Sequence, residues 1–117
     1  MNGKINLADK LAQFTEHWQP RIVGSFNGHD LMVVKVKGEF VWHSHPDTDD
    51  FFQVLNGRIR IEMRDGDVEL GPGEIYVVPK GVEHRPVAEE EAELLLIEPA
   101  GTPNTGDPET AVFKPHI

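Results

Sequence analysis

Cysteine is absent from the 117 residues. Disulfides, thiolate metal sites, CxxC redox chemistry and a cysteine nucleophile are thereby excluded. Long apolar runs are absent too: none approaches the roughly 18 residues that a spanning helix needs. The first residues mix Asn2, Lys4 and Asn6 with apolar neighbours and offer no apolar h-region, so no secretory leader is expected there. Positive charge is scarce, with 11 Lys and Arg against 20 Asp and Glu and a formal net charge of −9. That balance disfavours tracking of nucleic-acid phosphates. The expectation is a soluble, cytoplasmic protein with neither a nucleic-acid nor a membrane partner. A chain this long makes a single domain, 1–117, and buries roughly two-thirds of its unfolded surface.

Glycine and proline are plentiful, at 11 and 9, and they punctuate short apolar runs. Leu31–Lys37 reads as a strand rich in β-branched residues, and Glu39–His45 and Phe51–Leu55 as two more. Asn56-Gly57 supplies a tight hairpin turn. Arg58–Arg64 alternates cleanly, with Ile59, Ile61 and Met63 on one face and the charges on the other. Asp65-Gly66 is a second hairpin turn, after which Val68 and Leu70 continue the alternation. Ile75–Val78, an edge segment His84–Ala88 and a buried Leu94–Ile97 come next, with Glu89, Glu90 and Glu91 as a solvated turn. A helix over 7–16 is predicted from Leu7, Ala8, Leu11 and Phe14 on one face, with Asn6 as its cap. Residues 99–117 read as an extended tail, ordered only if it packs on something. About seven to nine short strands argue for an all-β sandwich or barrel.

Three of the six histidines bear on chemistry. His43 and His45, at i and i+2 in an extended segment, point to one side about 6.6 Å apart. Two imidazoles at that spacing can share an ion at about 2.0–2.1 Å. Asp49 and Asp50 come after a turn; neighbours in a strand face opposite ways, so only one of them can join. His84 begins a later strand. Imidazoles plus a carboxylate suit divalent iron, manganese, nickel, zinc or copper, and suit calcium or magnesium poorly. Such a set leaves coordination positions free for water, dioxygen or substrate. On spacing alone, the same residues also read as surface histidines beside a solvated acidic turn.

The chain resembles the cupins, and within them the small single-domain, mannose-6-phosphate-isomerase-like type. The first cupin signature runs from Gly38 through His43-Ser44-His45 to Asp50 and Gly57. The second runs from Gly73 through Pro79-Lys80-Gly81 to His84, with Ala88 in its last place. The resemblance covers residues 31–98. Gly38 lies one residue nearer to His43 than the family spacing has it, and Ala88 replaces an asparagine that is not a metal ligand. Asp50 replaces the family's glutamate and is shorter by about 1.5 Å. Its backbone must come closer, or its carboxylate binds through a water; Asp49 takes its place if the register slips.

The resemblance implies a double-stranded β-helix, the jelly-roll barrel of two antiparallel sheets, with a short N-terminal helix and an extended C-terminal tail. It implies one divalent transition metal on His43, His45, Asp50 and His84, inside one mouth of the barrel. It implies a homodimer, in which helix and tail cover edges or cross to the partner and employ Val112, Phe113 and Ile117. Val41, Phe52, Val54, Ile59, Ile61 and Met63 are expected to line an apolar pocket, with the Tyr76 phenol available as a donor. No proton shuttle is evident: Glu62, Gln53 and Arg85 all fall on outward-facing positions. The expected function is a metalloenzyme of oxidoreductase, dioxygenase-like type acting on a small organic molecule. A non-catalytic small-ligand-binding barrel and a metal-dependent sugar isomerase or epimerase are the alternatives, since this fold serves many chemistries.

Overall fold

Asn6 accepts a hydrogen bond from the Asp9 backbone at 3.0 Å, which caps helix α1, Leu7–Leu11. The computed structural model describes residues 3–117. The helix is shorter than the predicted 7–16. So short a helix has little stability of its own, and the residues after it are held by the long strand His29–Glu39 instead. Lys35 Nζ donates to Phe14 O at 2.7 Å, and the Trp18 backbone donates to Lys35 O at 2.8 Å.

The chain then forms seven strands: β1 Arg21–Phe26, β2 His29–Glu39, β3 Asp50–Asn56, β4 Ile59–Met63, β5 Gly66–Leu70, β6 Ile75–Val78 and β7 His84–Pro99. All pair antiparallel, in the order β1-β2-β7-β3-β6, with β4 also on β7 and β5 on β4. The all-β architecture with a short N-terminal helix is thus observed. Strand β1 is absent from the sequence prediction, although its turn carries a hairpin signal. Asn27 and Gly28 take φ of 50° and 76° between paired Phe26 and His29.

Four predicted features are corrected. Glu39–His45 is not a strand: β2 ends at Glu39, just after Gly38 at φ 83° shifts the register, and only an isolated bridge joins His43 to His84. Asn56-Gly57 is not a hairpin, because β3 pairs with β6 and β7 while β4 pairs with β5 and β7. Gly57 instead turns the chain from one sheet to the other against β7, where an added Cβ would come within 2.9 Å of Glu91 O. Glu89–Glu91 is not a turn but an exposed part of β7. Pairing steps from Ala88↔Gly38 to Ala92↔Val36, so β7 bulges there. Its first part pairs with β4 and its second with β3. Nor does His84–Ala88 lie at an edge: β4 flanks one side, and Pro86 O accepts from Phe40 N at 3.0 Å on the other.

Alternation sorts the faces. Met32, Val34 and Val36 of β2 meet Phe52, Val54, Ile59, Ile61, Leu94 and Leu96 in the barrel interior. Val33 faces outward and is covered by Leu11 and Phe14, with Ile117 packed beside them. The tail therefore is ordered by packing on its own chain. Residues 115–117 run along β1: Ile22 N donates to Pro115 O at 2.8 Å, and Ile117 N to Ile22 O at 2.9 Å. Phe113 takes no part and is 84% exposed. Among the described residues, no helix is long and apolar enough to cross a membrane.

Candidate metal centre

Two backbone hydrogen bonds, His43 N to His84 O at 3.0 Å and His84 N to His43 O at 2.9 Å, set these residues side by side. Gly81 N donates to His45 O at 2.8 Å and ties the second signature turn to the first. Asp49 braces that turn from outside, its Oδ1 accepting from Lys80 N at 2.9 Å. Asp50 opens β3 on the opposite face and is buried. The outcome is one cluster of His43, His45, Asp50 and His84, all buried, with ligand-type atoms within 4.8 Å of one another. Asp50 Oδ2 lies 2.8 Å from His84 Nε2, 3.3 Å from His45 Nε2 and 3.9 Å from His43 Nε2. Donors around one ion at about 2.1 Å stand about 3.0–3.4 Å apart, so the set has the right size.

The tautomers point the same way. His43 Nδ1 donates to Val41 O and His84 Nδ1 to Val82 O, each at 2.9 Å. In the neutral ring the remaining nitrogen, Nε2, then carries a lone pair aimed at the Asp50 carboxylate. Lone pairs facing a carboxylate repel unless a proton or a cation sits between them. His45 Nε2 is buried without a hydrogen-bond partner. Burial, only partly offset by the Val41 carbonyl, pushes His43 down to about 4 and keeps it neutral. Burial pushes the Asp50 carboxyl up, but the His45 and His84 imidazoles beside it hold it well below the usual carboxylate range. Burial pulls His45 down, yet Asp50 outweighs it and the imidazole is raised. The donors present fit a metal ion.

A half-open pocket of about 40 Å³ adjoins the cluster, bordered by His43, Asp50, Phe52, Trp18, Phe40 and Glu98. Of the pocket residues expected from sequence, Phe52 lies there. Val54, Ile59 and Ile61 fill the interior core. Met63 and Tyr76 are half-buried and touch each other, the phenol donating to Met63 Sδ at 3.9 Å. Val41 is 55% exposed and lies outside, because the predicted strand there is a loop. Sequence reasoning missed Glu98, which is 4% exposed and receives Lys114 Nζ of the tail at 3.2 Å. Its parity was legible, for Leu94, Leu96 and Glu98 share one face of β7. Burial, then the charge of Asp50, outweighs Lys114 and pushes the Glu98 carboxyl up to about 7. Lys114 also donates to Thr102 O.

An antiparallel barrel with a buried, mixed nitrogen and oxygen donor set at one end defines a class of metal-capable β-barrel proteins. The cupin-domain family model matches residues 30–98, and the chain belongs to the cupin family. A cupin-2 domain protein of Shewanella frigidimarina is 49% identical over 81% of this chain and 93% of its own, with a TM-score of 0.80. The uncharacterised protein YdbB of Bacillus subtilis (strain 168) is 34% identical over 64 residues, 54% of this chain. The match spans 57% of that curated relative's length. A hydroquinone 1,2-dioxygenase from Sphingomonas sp. TTNP3 shares the fold, at 19% identity over 78% of this chain and 72% of its own, with a TM-score of 0.65.

Proposed function

We propose that this cupin holds one divalent transition metal (iron, manganese, nickel, zinc or copper) on His43, His45, Asp50 and His84, and acts as a dioxygenase-like oxidoreductase on a small organic molecule. The observation that carries this reading is the convergence of Nε2 lone pairs on a carboxylate, with His45 Nε2 left unpartnered, beside a pocket. When bound, the ion would supply Lewis acidity at its open positions and, for iron, manganese, nickel or copper but not redox-inert zinc, electron transfer. Val41 O and Val82 O hold two imidazoles in the ligating tautomer. Phe52, Leu94 and Leu96 keep the pocket apolar.

The metal-dependent sugar isomerase or epimerase alternative is less favoured for a phosphorylated sugar, for none of the described residues lining the pocket is Lys or Arg. Glu98 favours a second reading, proton transfer on a neutral substrate, since a carboxyl poised near 7 can both hold and release a proton. A homodimer belongs to the proposal as well: Ile75 and Val77 lie exposed on the edge strand β6 and would be covered by a second copy. Sedimentation of the purified protein at monomer mass removes that part.

The deciding experiment is elemental analysis of tag-free wild type beside His45→Ala. About one transition metal per chain in the wild type, and little in the variant, is expected. Equal metal in both overturns the site. Oxygen uptake by each metal-loaded form over a panel of enols and thiols then separates oxidation from proton transfer.

A further inference from the structure

Trp18 has φ 61°, in the left-handed region that bulky side chains rarely occupy. Such a conformation persists only where its surroundings impose it, and it gathers at functional sites. Here two hydrogen bonds impose it. The Trp18 backbone N–H donates to Lys35 O at 2.8 Å, and the indole N–H to Lys37 O at 2.9 Å. The ring so placed stacks on Phe40 at 5.0 Å and 24° between planes. Phe40 in turn stands edge-on to His43 at 5.2 Å and 90°. Trp18 and Phe40 border both the inner pocket and the open groove outside it, where Val41, Trp42 and Val112 lie. His43 and Asn104 border both as well, and the stacked pair is the aromatic part of the partition between the two. Inside it the pocket is small, about 40 Å³.

Resting on the metal-centre reading above, we propose that the Trp18–Phe40 pair is the specificity-determining wall of this site. It limits what reaches the metal to a ligand, or the reactive end of one, of a few atoms, and turns away rings. The body of a larger substrate stays in the outer groove.

The test uses the cobalt(II)-loaded full chain and its visible absorption, with azide and imidazole as probes. In the wild type, azide shifts the cobalt bands and imidazole at the same concentration does not. Trp18→Gly removes the ring and accepts the positive φ without strain. It should bind imidazole at least about tenfold more tightly than the wild type, with azide affinity changed by less than about threefold. Trp18→Phe keeps a ring in the wall and should still exclude imidazole. If Trp18→Gly fails to hold cobalt, Phe40→Ala opens the same partition and decides the matter in the same way. Cobalt bands in every form with equal imidazole affinities overturn the wall alone. No cobalt bands in the wild type overturn the metal centre, and the wall with it.

Discussion

At one end of the barrel Val54, Ile59, Ile61 and Leu70 fill the interior with hydrocarbon. At the other, His43, His45, Asp50, His84 and Glu98 put polar side chains in buried positions beside a pocket. Strands β3 and β7 both run from one regime to the other, β3 from Asp50 to Val54 and β7 from His84 through Ala92 and Leu94 to Glu98. The filled end is held by dispersion and dehydration, which any apolar side chain of suitable volume supplies. The polar end is held by a few hydrogen bonds, each with a required partner, and a group there left alone is costly. The division is spatial: apolar packing is concentrated in the filled end, ligand-type donors in the other.

Substitutions should separate the two. The largest stability effect is expected at Ile61, which is fully buried: Ile61→Ala should cost about 2–5 kcal/mol in denaturant unfolding. Its metal stoichiometry should stay that of the wild type; loss of metal in the folded variant would show that the ends are coupled. Lys114→Met comes next, at about 1–3 kcal/mol, because Glu98 then stays buried without its cation and takes up a proton. Unchanged stability would place that pair outside the polar end's framework.

The pH dependence of the metal-free protein should carry two opposed contributions. Glu98 is raised from 4.5 to about 7, so its stabilisation is complete below 4.5 and is lost as pH rises toward 7. His43 is lowered from 6.5 to about 4, so its stabilisation is present above 6.5 and is lost as pH falls toward 4. Glu98→Gln removes the first and leaves the second. Its stability should rise more steeply with pH across that window than the wild type's; parallel curves would remove Glu98 from the account. The smallest effect is expected at Phe113, outside both ends: Phe113→Ser should shift stability by less than about 0.5 kcal/mol. A larger loss in the isolated protein would show that Phe113 is covered in solution.

How legible this was in the sequence depends on distance along the chain. The cluster of His43, His45, Asp50 and His84 could be named because spacing and the two signatures are local patterns. Alternation in Ile59–Met63 and the loop after Met63 were legible for the same reason, although the hairpin turns at Arg64-Asp65, one residue earlier than expected. Asn27-Gly28 carries an equally local signal, but β1 before it lacks a clean apolar alternation to frame that turn. Asn56-Gly57 carries the same signal and misleads, because whether two strands at a turn pair is settled by what each meets elsewhere. The wall of Trp18 and Phe40 was hidden: it depends on a left-handed Trp and on β2 carbonyls far along the chain. Glu98 was hidden by its neighbours, a charged residue at the end of an apolar run, and only its parity gave it away.

Strand β7 has a temporal consequence. It pairs with β2, β3 and β4, yet it is made after all of them. A nascent chain that has not yet reached Pro99 holds three strands waiting for one shared partner. Neither sheet can close early, and the contacts that close them are distant in sequence. Such topologies fold on the slow, millisecond-to-second side of the range. At a synthesis rate of about 5–20 residues per second, the barrel should form in one late step rather than grow strand by strand.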